Sequence, residues 1–297
     1  ASDVYKRQKL NFAENMLKNR SDDEALIFRC EDRISKTLSF AELYNQVSKT
    51  AQHLKELGVT KGDRVAGFLP NFAGSIVAML ATASVGAIWS SCSPDFGEQG
   101  VIDRFGQIEP KVLFCVDGYF YNGKTHNCLD KIKSFTARLP SLKQVVIFDY
   151  ASLSNIVINN SISYQEILEN YEAIEIGFER VGFDHPLYIM YSSGTTGVPK
   201  CIVHGHGGTL VQHLKEHQLQ TNISSGDRVF YFTTCSWMMW NWLVSALGTG
   251  ATIMLYDGSP TYPDNTVLWK FADEEQFSHF GTSAKYIETL MKDDVNP

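Results

Sequence analysis

The chain has 297 residues, of which 44% are apolar and 20% are charged, and its formal net charge is −7. This length suits two domains or one large domain with a buried core, and the composition excludes a disordered acidic tail. Because the chain has no basic excess, it does not fit the pattern of a nucleic-acid-binding protein. We therefore expect its partners to be small molecules.

The six cysteines lie far apart in the sequence and form no C-x-x-C pair. This spacing is typical of neither a disulfide framework nor a zinc ribbon, so we expect reduced and mostly buried thiols in a cytosolic protein. Residues 1–20 contain several basic side chains but no apolar stretch, which argues against a signal peptide. Residues 1–9 carry no structural pattern.

The first predicted helix begins where Ser39 and Glu42 have the spacing of a capping box. Apolar residues continue at helical spacing until Gly58, which is expected to end the helix. The uncharged run that follows, between Arg64 and Asp95, is long enough to span a membrane. Proline, asparagine and glycine interrupt this run, so we interpret it as a strand, a helix and a strand of a buried parallel unit.

A second uncharged run, which ends before Asp257, has the same interrupted pattern. The tetrapeptide Gly-Asp-Arg-Val occurs at 62–65 and at 226–229, Gly-Ala occurs at 86–87 and at 250–251, and both offsets are 164 residues. In each copy, Gly-Asp would form the turn that leads into a strand, and the later glycine would end the following helix. The shared offset predicts two subdomains of like topology.

The remaining predicted elements are strands at 111–116, 144–148 and 277–280, and helices near 164–171 and at 283–291. The stretch 150–182 has a weaker pattern and is interpreted as a connector. Together, the elements predict an α/β fold of two subdomains with mainly parallel sheets. Residues 10–182 would form the first subdomain with its connector, and 183–297 the second, which we expect to be incomplete because no capping element follows the last helix.

The strongest chemical signal is the segment Tyr191-Ser-Ser-Gly-Thr-Thr-Gly-Val-Pro-Lys200, which follows an apolar strand. Its glycines allow successive N–H groups to point inward, its hydroxyls add donors, and its lysine adds positive charge. This pattern favours binding of nucleotide phosphates, although it is not a Walker A loop. The candidate phosphate-binding residues are Ser192, Ser193, Gly194, Thr195, Thr196, Gly197 and Lys200.

This segment resembles the phosphate-binding signature of the acyl-adenylate-forming superfamily. Other segments, including Gly86-Ala-Ile-Trp-Ser-Ser91, Pro199-Lys-Cys-Ile-Val-His204 and Trp237-Met-Met-Trp-Asn241, resemble its acetoacetate-activating acyl-CoA synthetases. The resemblance runs from about Leu10 to the end of the chain. Cys201 stands where most superfamily members have glycine, which is typical of the acetoacetate-activating branch.

The resemblance implies a two-step ligase reaction. ATP and a carboxylate, here acetoacetate, give an acyl-adenylate and pyrophosphate, and the thiol of coenzyme A then displaces AMP. The candidate phosphate-binding residues would hold the pyrophosphate end of ATP with Mg2+, and Trp237 would form a wall of the acyl pocket. Coenzyme A would lie along 117–124, where acetyl-CoA synthetases have arginines and this chain has only Lys124.

Superfamily members are about twice as long, and their adenylating lysine would lie beyond Pro297. The resemblance therefore assigns no catalytic residue within this chain. We expect the 297-residue chain alone not to complete the ligase reaction.

A different chemistry is suggested by His213-Leu-Lys-Glu-His217, which matches the H-x-x-E-H signature of zinc hydrolases. On a helix, the two histidines would share one face and could bind zinc, with Glu216 as the base. A five-residue match in a chain of this length is weak. We therefore expect a solvated helix face here and predict no metal site.

Further alternatives concern the same phosphate-binding segment. Ser192, Ser193 and Lys200 could instead supply the nucleophile and base of an amidase-like hydrolase. The chain could also activate acetate or another short acid, because a pocket discriminates one methylene by only about 1–3 kcal/mol. Finally, it could bind nucleotide without turnover.

Three histidines and one aspartate complete the candidates. His204 and His206 follow the phosphate-binding segment and could contact nucleotide, but histidines in such loops are more often structural, as we expect for His279. Asp257 follows a predicted strand, at the sheet edge where α/β proteins bind ligands. A role in a pocket is therefore predicted for Asp257.

Overall fold

A computed structural model of the chain describes residues 8–153, 157–192 and 197–295. Most of its strands belong to two sheets. The first sheet has seven strands, which in spatial order are β10 (Ser161–Ser163), β9 (Gln144–Phe148), β6 (Val112–Val116), β4 (Arg64–Phe68), β5 (Ile88–Cys92), β12 (Pro186–Tyr191) and β13 (Cys201–Gly205). The second sheet has five strands, which are β16 (His279–Gly281), β14 (Arg228–Tyr231), β15 (Thr252–Asp257), β2 (Glu24–Cys30) and β3 (Ile34–Ser39).

Two short antiparallel pairs and a set of helices complete the described fold. The pairs are β1 (Lys9–Leu10) with β11 (Val181–Gly182), and β7 (Gly118–Tyr121) with β8 (Lys124–Asn127). The helices are α1 (Phe12–Met16), α2 (Phe40–Glu56), α3 (Ala73–Ser84), α4 (Glu98–Ile108), α5 (Leu129–Thr136), α6 (Tyr164–Asn170), α7 (His206–Lys215), α8 (Met238–Ser245), α9 (Val267–Glu274) and α10 (Ala284–Lys292). A π-helical turn (Glu216–Gln220) extends α7, and a 3₁₀ turn (Ala246–Thr249) extends α8.

Both large sheets are mainly parallel. The antiparallel pairings within them are β12 with β13 in the first sheet and β2 with β3 in the second. In each case the antiparallel strand lies at the sheet edge. The predicted α/β class with mainly parallel sheets is confirmed.

The repeated Gly-Asp-Arg-Val segments adopt the same local structure in two different sheets. Strands β4 and β5 pair in the same register as β14 and β15, at the 164-residue offset seen in the sequence. Gly62 and Gly226 have φ angles of +84° and +90°, in the left-handed region that favours glycine. The carboxylates of Asp63 and Asp227 accept a hydrogen bond from the backbone N–H three residues earlier, at 2.8 and 2.7 Å.

The two sheets exchange strands between the sequence halves. Strands β12 and β13, which follow residue 183, belong to the first sheet, and β2 and β3, near the start of the chain, belong to the second. Each large sheet therefore contains strands from both 10–182 and 183–297. The division of the chain into subdomains at residue 183 stays a prediction.

The two uncharged runs form β4–α3–β5 and β14–α8–β15, as predicted. All of α3 except its first residue is buried, and apolar residues of α3, α8 and both sheets join one core cluster. Within the three described ranges, no helix is both long and apolar enough to cross a membrane. Five of the six cysteines are buried and Cys201 on β13 is exposed, which confirms the prediction of mostly buried thiols.

The predicted helix start at Ser39 is also confirmed. The Ser39 hydroxyl accepts the Glu42 N–H at 3.1 Å, and the Glu42 carboxylate accepts the Ser39 N–H at 2.8 Å. Gly58 has a φ angle of +74° just after the end of α2, as expected of a glycine that ends a helix.

Candidate functional site

The candidate site lies at the carboxyl ends of β5, β14 and β15, where their following loops meet. The Ser91 hydroxyl donates to the Cys235 carbonyl at 2.7 Å, and the Ser93 N–H donates to the Ser236 hydroxyl at 2.7 Å. These two hydrogen bonds join the carboxyl end of β5 and the loop after it to the loop after β14. Open α/β sheets bind ligands at such carboxyl ends.

Two cavities of about 650 and 640 Å³ open beside these loops. The tryptophan cavity is lined by Trp237 together with residues of β12, β13, α4 and the loops after β5 and β14. The tyrosine cavity is lined by Tyr119, Tyr121 and Tyr286 together with residues of the loops after β5, β14 and β15. Asp95 and Thr234 line both cavities, so the two spaces adjoin.

Trp237 lines the tryptophan cavity. It precedes the first residue of α8, and 68% of its side chain is exposed. Its neighbours Met238, Met190 and Ile202 make the same cavity partly apolar. An exposed indole beside a cavity can stack on a small planar acid, and contact with substrate stays a prediction.

The candidate phosphate-binding segment joins β12 to β13. At its base, the Ser192 N–H donates to the Lys200 carbonyl at 3.0 Å, and the Lys200 N–H donates to the Ser192 hydroxyl at 3.3 Å. Gly197 has a φ angle of +153°. The other predicted members, Ser193, Gly194, Thr195 and Thr196, lie outside the described residues.

Arg104 on α4 is a cationic residue of the tryptophan cavity that the sequence did not single out. Its guanidinium lies over the rings of Phe96 and Tyr191, at 4.6 and 5.6 Å from their centroids, and donates to the Gly100 carbonyl at 2.8 Å. Within the described ranges, this carbonyl engages one donor of the guanidinium, and the other N–H groups of the fork could bind an anion. Because Tyr191 leads into the phosphate-binding segment, this charge lies close to it.

The two histidines that follow the segment have different environments. His204 lines the tryptophan cavity and stacks on Tyr188 at 5.0 Å, and burial lowers its pKa. His206 is fully buried, and its Nδ1 accepts the Phe12 N–H at 3.2 Å. Burial, with a smaller contribution from His185, lowers the pKa of His206 to about 3. His206 is therefore a neutral structural residue, as expected.

The expectation of a solvated helix face around His213 and His217 is wrong. Both side chains are buried, and the Ser245 hydroxyl lies 2.9 Å from His213 Nδ1 and 2.9 Å from His217 Nε2. Burial lowers both pKa values to about 4. The Glu216 carboxylate accepts the Trp242 indole N–H at 3.0 Å, so these side chains serve packing between α7 and α8.

A metal centre finds no support in the part of the chain that the structure describes. No group of three His, Cys, Asp or Glu side chains there has an arrangement able to hold a metal ion. The zinc-hydrolase interpretation of residues 213–217 is accordingly not supported.

Lys124 begins β8, on the hairpin whose tyrosines line the tyrosine cavity, and its side chain is exposed. A second lysine, Lys285 on α10, lines the cavity itself. Lys285 was not selected from the sequence, because its helix has no recognisable ligand-binding motif. Together the two residues place positive charge at this end of the site.

Asp257 ends β15 in the wall of the tyrosine cavity, as its predicted strand-end position suggested. The Tyr150 hydroxyl donates to Asp257 Oδ2 at 2.9 Å. Burial raises the pKa of Asp257 to about 7, with smaller contributions in the same direction from Glu31 and Asp95. A carboxyl group that titrates near neutrality in a cavity can accept or donate a proton there.

Comparison with known proteins identifies the family. The model of the family described as AMP-binding enzyme matches residues 12–296. The chain belongs to the AMP-binding enzyme family. Its relatives include the acetoacetyl-coenzyme A synthetase of Rhizobium meliloti (strain 1021), which is 52% identical over 295 residues, covering 99% of this chain and 45% of the relative. The acetoacetyl-CoA synthetase of Gallus gallus is 47% identical over 302 residues, with coverage of 99% and 45%.

A solved structure has the same fold. The acetoacetyl-CoA synthetase from Streptomyces lividans matches with a TM-score of 0.92 and 44% identity, covering 97% of this chain and 44% of that one. The resemblance stated from the sequence is thereby confirmed. The chain spans less than half the length of these relatives.

Proposed function

We propose that this chain forms the acid- and phosphate-binding part of an ATP-dependent acid–thiol ligase that acts on acetoacetate. Acetoacetate and ATP would give acetoacetyl-AMP and pyrophosphate, and coenzyme A would then give acetoacetyl-CoA and AMP. The observation that carries the proposal is the pair of adjoining cavities, of which the tryptophan cavity borders the phosphate-binding segment at Tyr191. A two-step transfer needs two substrates that meet at one point, which here is the boundary formed by Asp95 and Thr234.

The tryptophan cavity suits the first step. Trp237 would stack on the small planar acid, and Lys200 with the hydroxyl-rich segment would hold the phosphates of ATP, supplied as its Mg2+ complex. Arg104 would add a fixed positive charge on the same side. Attack of a carboxylate on the α-phosphorus brings two anions together, so positioning and charge neutralisation would supply most of the rate enhancement.

The tyrosine cavity suits the second substrate. Its aromatic walls can pack against the long, mostly uncharged arm of coenzyme A, and a thiol directed inward would reach the boundary with the tryptophan cavity. Lys124 and Lys285 would face the phosphate-bearing end of coenzyme A near the protein surface. The two anionic ends of ATP and coenzyme A would thus remain apart, which reduces their repulsion.

The test is acid-dependent exchange of labelled pyrophosphate into ATP, measured on the full-length polypeptide that contains this chain. We expect exchange with acetoacetate to exceed exchange with acetate or butyrate by at least about tenfold, since pocket contacts discriminate small acids to this degree. Lys200→Ala should lower exchange about a hundredfold or more, because it removes a charge at the phosphates. Lys215→Ala, which removes an exposed lysine of α7, is the matched control and should retain exchange.

Two results would contradict the proposal. Equal exchange with all three acids would show that the acetoacetate assignment is wrong while the ligase assignment holds. No exchange with any acid, in folded protein that binds ATP, would reject the ligase assignment itself.

A further inference from the structure

The Asp257 carboxylate has no role in the first step of the proposed reaction. It lies at the carboxyl end of β15, in the wall of the tyrosine cavity. Among the described residues, the Tyr150 hydroxyl donates to its Oδ2 at 2.9 Å, and the Asn71 backbone N–H lowers the pKa of the carboxyl group. A carboxylate has about four acceptor positions, so capacity remains for a proton from the cavity.

The surroundings of Asp257 make it more basic than an ordinary aspartate. The acidic groups that interact with it electrostatically lie on several neighbouring elements, and they are Cys30, Glu31, Asp95, Tyr119, Tyr150, Cys235 and Tyr256. The charged neighbours Glu31 and Asp95 both disfavour a second negative charge. No cation appears among the groups that shift the pKa of this carboxyl group in the described ranges.

Tyr150 is itself fixed by buried contacts. Its backbone N–H donates to Asp117 Oδ1 at 3.0 Å, and its ring packs against Phe72 and Phe28 at 5.3 and 6.2 Å. The hydroxyl that orients Asp257 therefore belongs to a residue with little freedom. Such fixed orientation of a proton acceptor by a second group is a general feature of acid–base catalysis.

We propose that Asp257 accepts the thiol proton when coenzyme A attacks the acyl-adenylate. This inference rests on the proposed function and assigns a residue to its second step. The sulfur–carbon bond forms, the bond from the acyl carbon to the phosphate oxygen breaks, and AMP leaves with the electron pair of that bond. The proton moves from sulfur to the Asp257 carboxylate and then to water.

The pH dependence of the second step follows from this assignment. Asp257 accepts a proton only when it is ionised, and burial raises its pKa from 3.8 to about 7. Transfer to coenzyme A should therefore be fast above neutrality and decline as the pH falls through about 7. An ordinary aspartate would remain ionised but would be a much weaker base for a thiol.

The test separates the two half-reactions in the full-length polypeptide. Asp257→Asn should leave acetoacetate-dependent pyrophosphate exchange within about twofold and slow single-turnover transfer to coenzyme A by about 10²–10³-fold, the usual contribution of a general base. Its transfer rate should also lose the inflection near neutral pH. Asp130→Asn, which neutralises an exposed carboxylate on α5, is the matched control and should behave as wild type.

Tyr150→Phe provides a second test that keeps the carboxylate. Loss of the donated hydrogen bond removes a contact that lowers the pKa of Asp257, so the inflection of the transfer rate should move to higher pH. This variant tests the assignment even where Asp257→Asn impairs folding, which thermal unfolding would reveal.

Three results would overturn the assignment. They are wild-type transfer by Asp257→Asn, equal loss of exchange and transfer, or an unmoved inflection in Tyr150→Phe. Absence of acid-dependent exchange in the wild-type protein would instead reject the proposed function, and this inference with it.

Discussion

Buried neutral histidines should make the folded state sensitive to acid, and His206 offers the sharpest test. Burial lowers the pKa of His206 from 6.5, the value expected in the unfolded chain, to about 3 in the folded chain. Below pH 6.5, protons therefore bind the unfolded chain preferentially. Its stabilising contribution is complete above pH 6.5 and is lost as the pH falls toward 3. At about pH 4.5, two units below the unfolded pKa, the loss should be about 2.7 kcal/mol.

The variant His206→Asn isolates this contribution. The asparagine amide oxygen can replace Nδ1 as the acceptor for the Phe12 N–H, which the histidine accepts at 3.2 Å, but it does not titrate. The smaller side chain should cost about 1–2 kcal/mol at every pH. His213 and His217 remain in both proteins, so their own acid sensitivity cancels in the comparison.

The assay is urea unfolding between about pH 8 and pH 4.5, with the free energy of unfolding obtained at each pH. Wild type should lose about 2.7 kcal/mol more than the variant over this range. Equal losses in the two proteins would refute the reasoning, because they would show that His206 titrates alike in the folded and unfolded states.

Two further substitutions test packing and hydrogen bonding by the same urea assay. Gly207→Ala should destabilise by about 1–3 kcal/mol, because its Cβ would lie 2.1 Å from the Phe183 ring. Gly208→Ala, the matched control with nothing within 4 Å of the new Cβ, should be neutral or stabilising by up to about 1 kcal/mol. Asp117→Ala should cost at least about 3 kcal/mol, since the buried carboxylate accepts four backbone N–H groups. A loss below about 1 kcal/mol at Asp117, or equal effects of the two glycine changes, would contradict these expectations.

The parts of the fold that the sequence predicted correctly depend on local chemistry. Gly62 and Gly226 mark turns that need a positive φ angle, and Ser39 with Glu42 forms a cap within four residues. Such signals need no knowledge of the rest of the chain. The strands within the uncharged runs were also predictable from the sequence. A parallel strand that is buried on both faces is apolar throughout, whereas a half-buried strand alternates apolar and polar residues.

The parts that the sequence did not predict depend on distant partners. The antiparallel pair β2–β3 joins the second sheet only through β15, far along the chain. The burial of His213 and His217 depends on Ser245, which approaches them from another helix. From the sequence alone, a buried polar residue whose hydrogen-bond partner lies far along the chain cannot be distinguished from a solvent-exposed one.

The residues of the candidate site likewise fall into two groups, those that the sequence predicted and those that it did not. The phosphate-binding segment and Trp237 were selected from motifs, and Asp257 from its place at a strand end. Arg104 and Lys285 were missed because each is a single cation on a helix without a motif. The useful signal for Arg104 was its position on the helix that directly follows β5, whose carboxyl end opens into the site.

The pairing of β2 with β15 also sets an order for folding during synthesis. The Thr252 hydroxyl donates to the Glu24 carbonyl across 228 residues of sequence. At about 5–20 residues per second, β2 would wait roughly 10–45 s on the ribosome for its parallel partner. Until then, the edge of β2 that pairs with β15 stays unpaired, and an unpaired strand edge can pair with other chains and promote aggregation. Deleting residues 24–39 should correspondingly disrupt the sheet that carries Asp257, although these residues lie far from it in sequence.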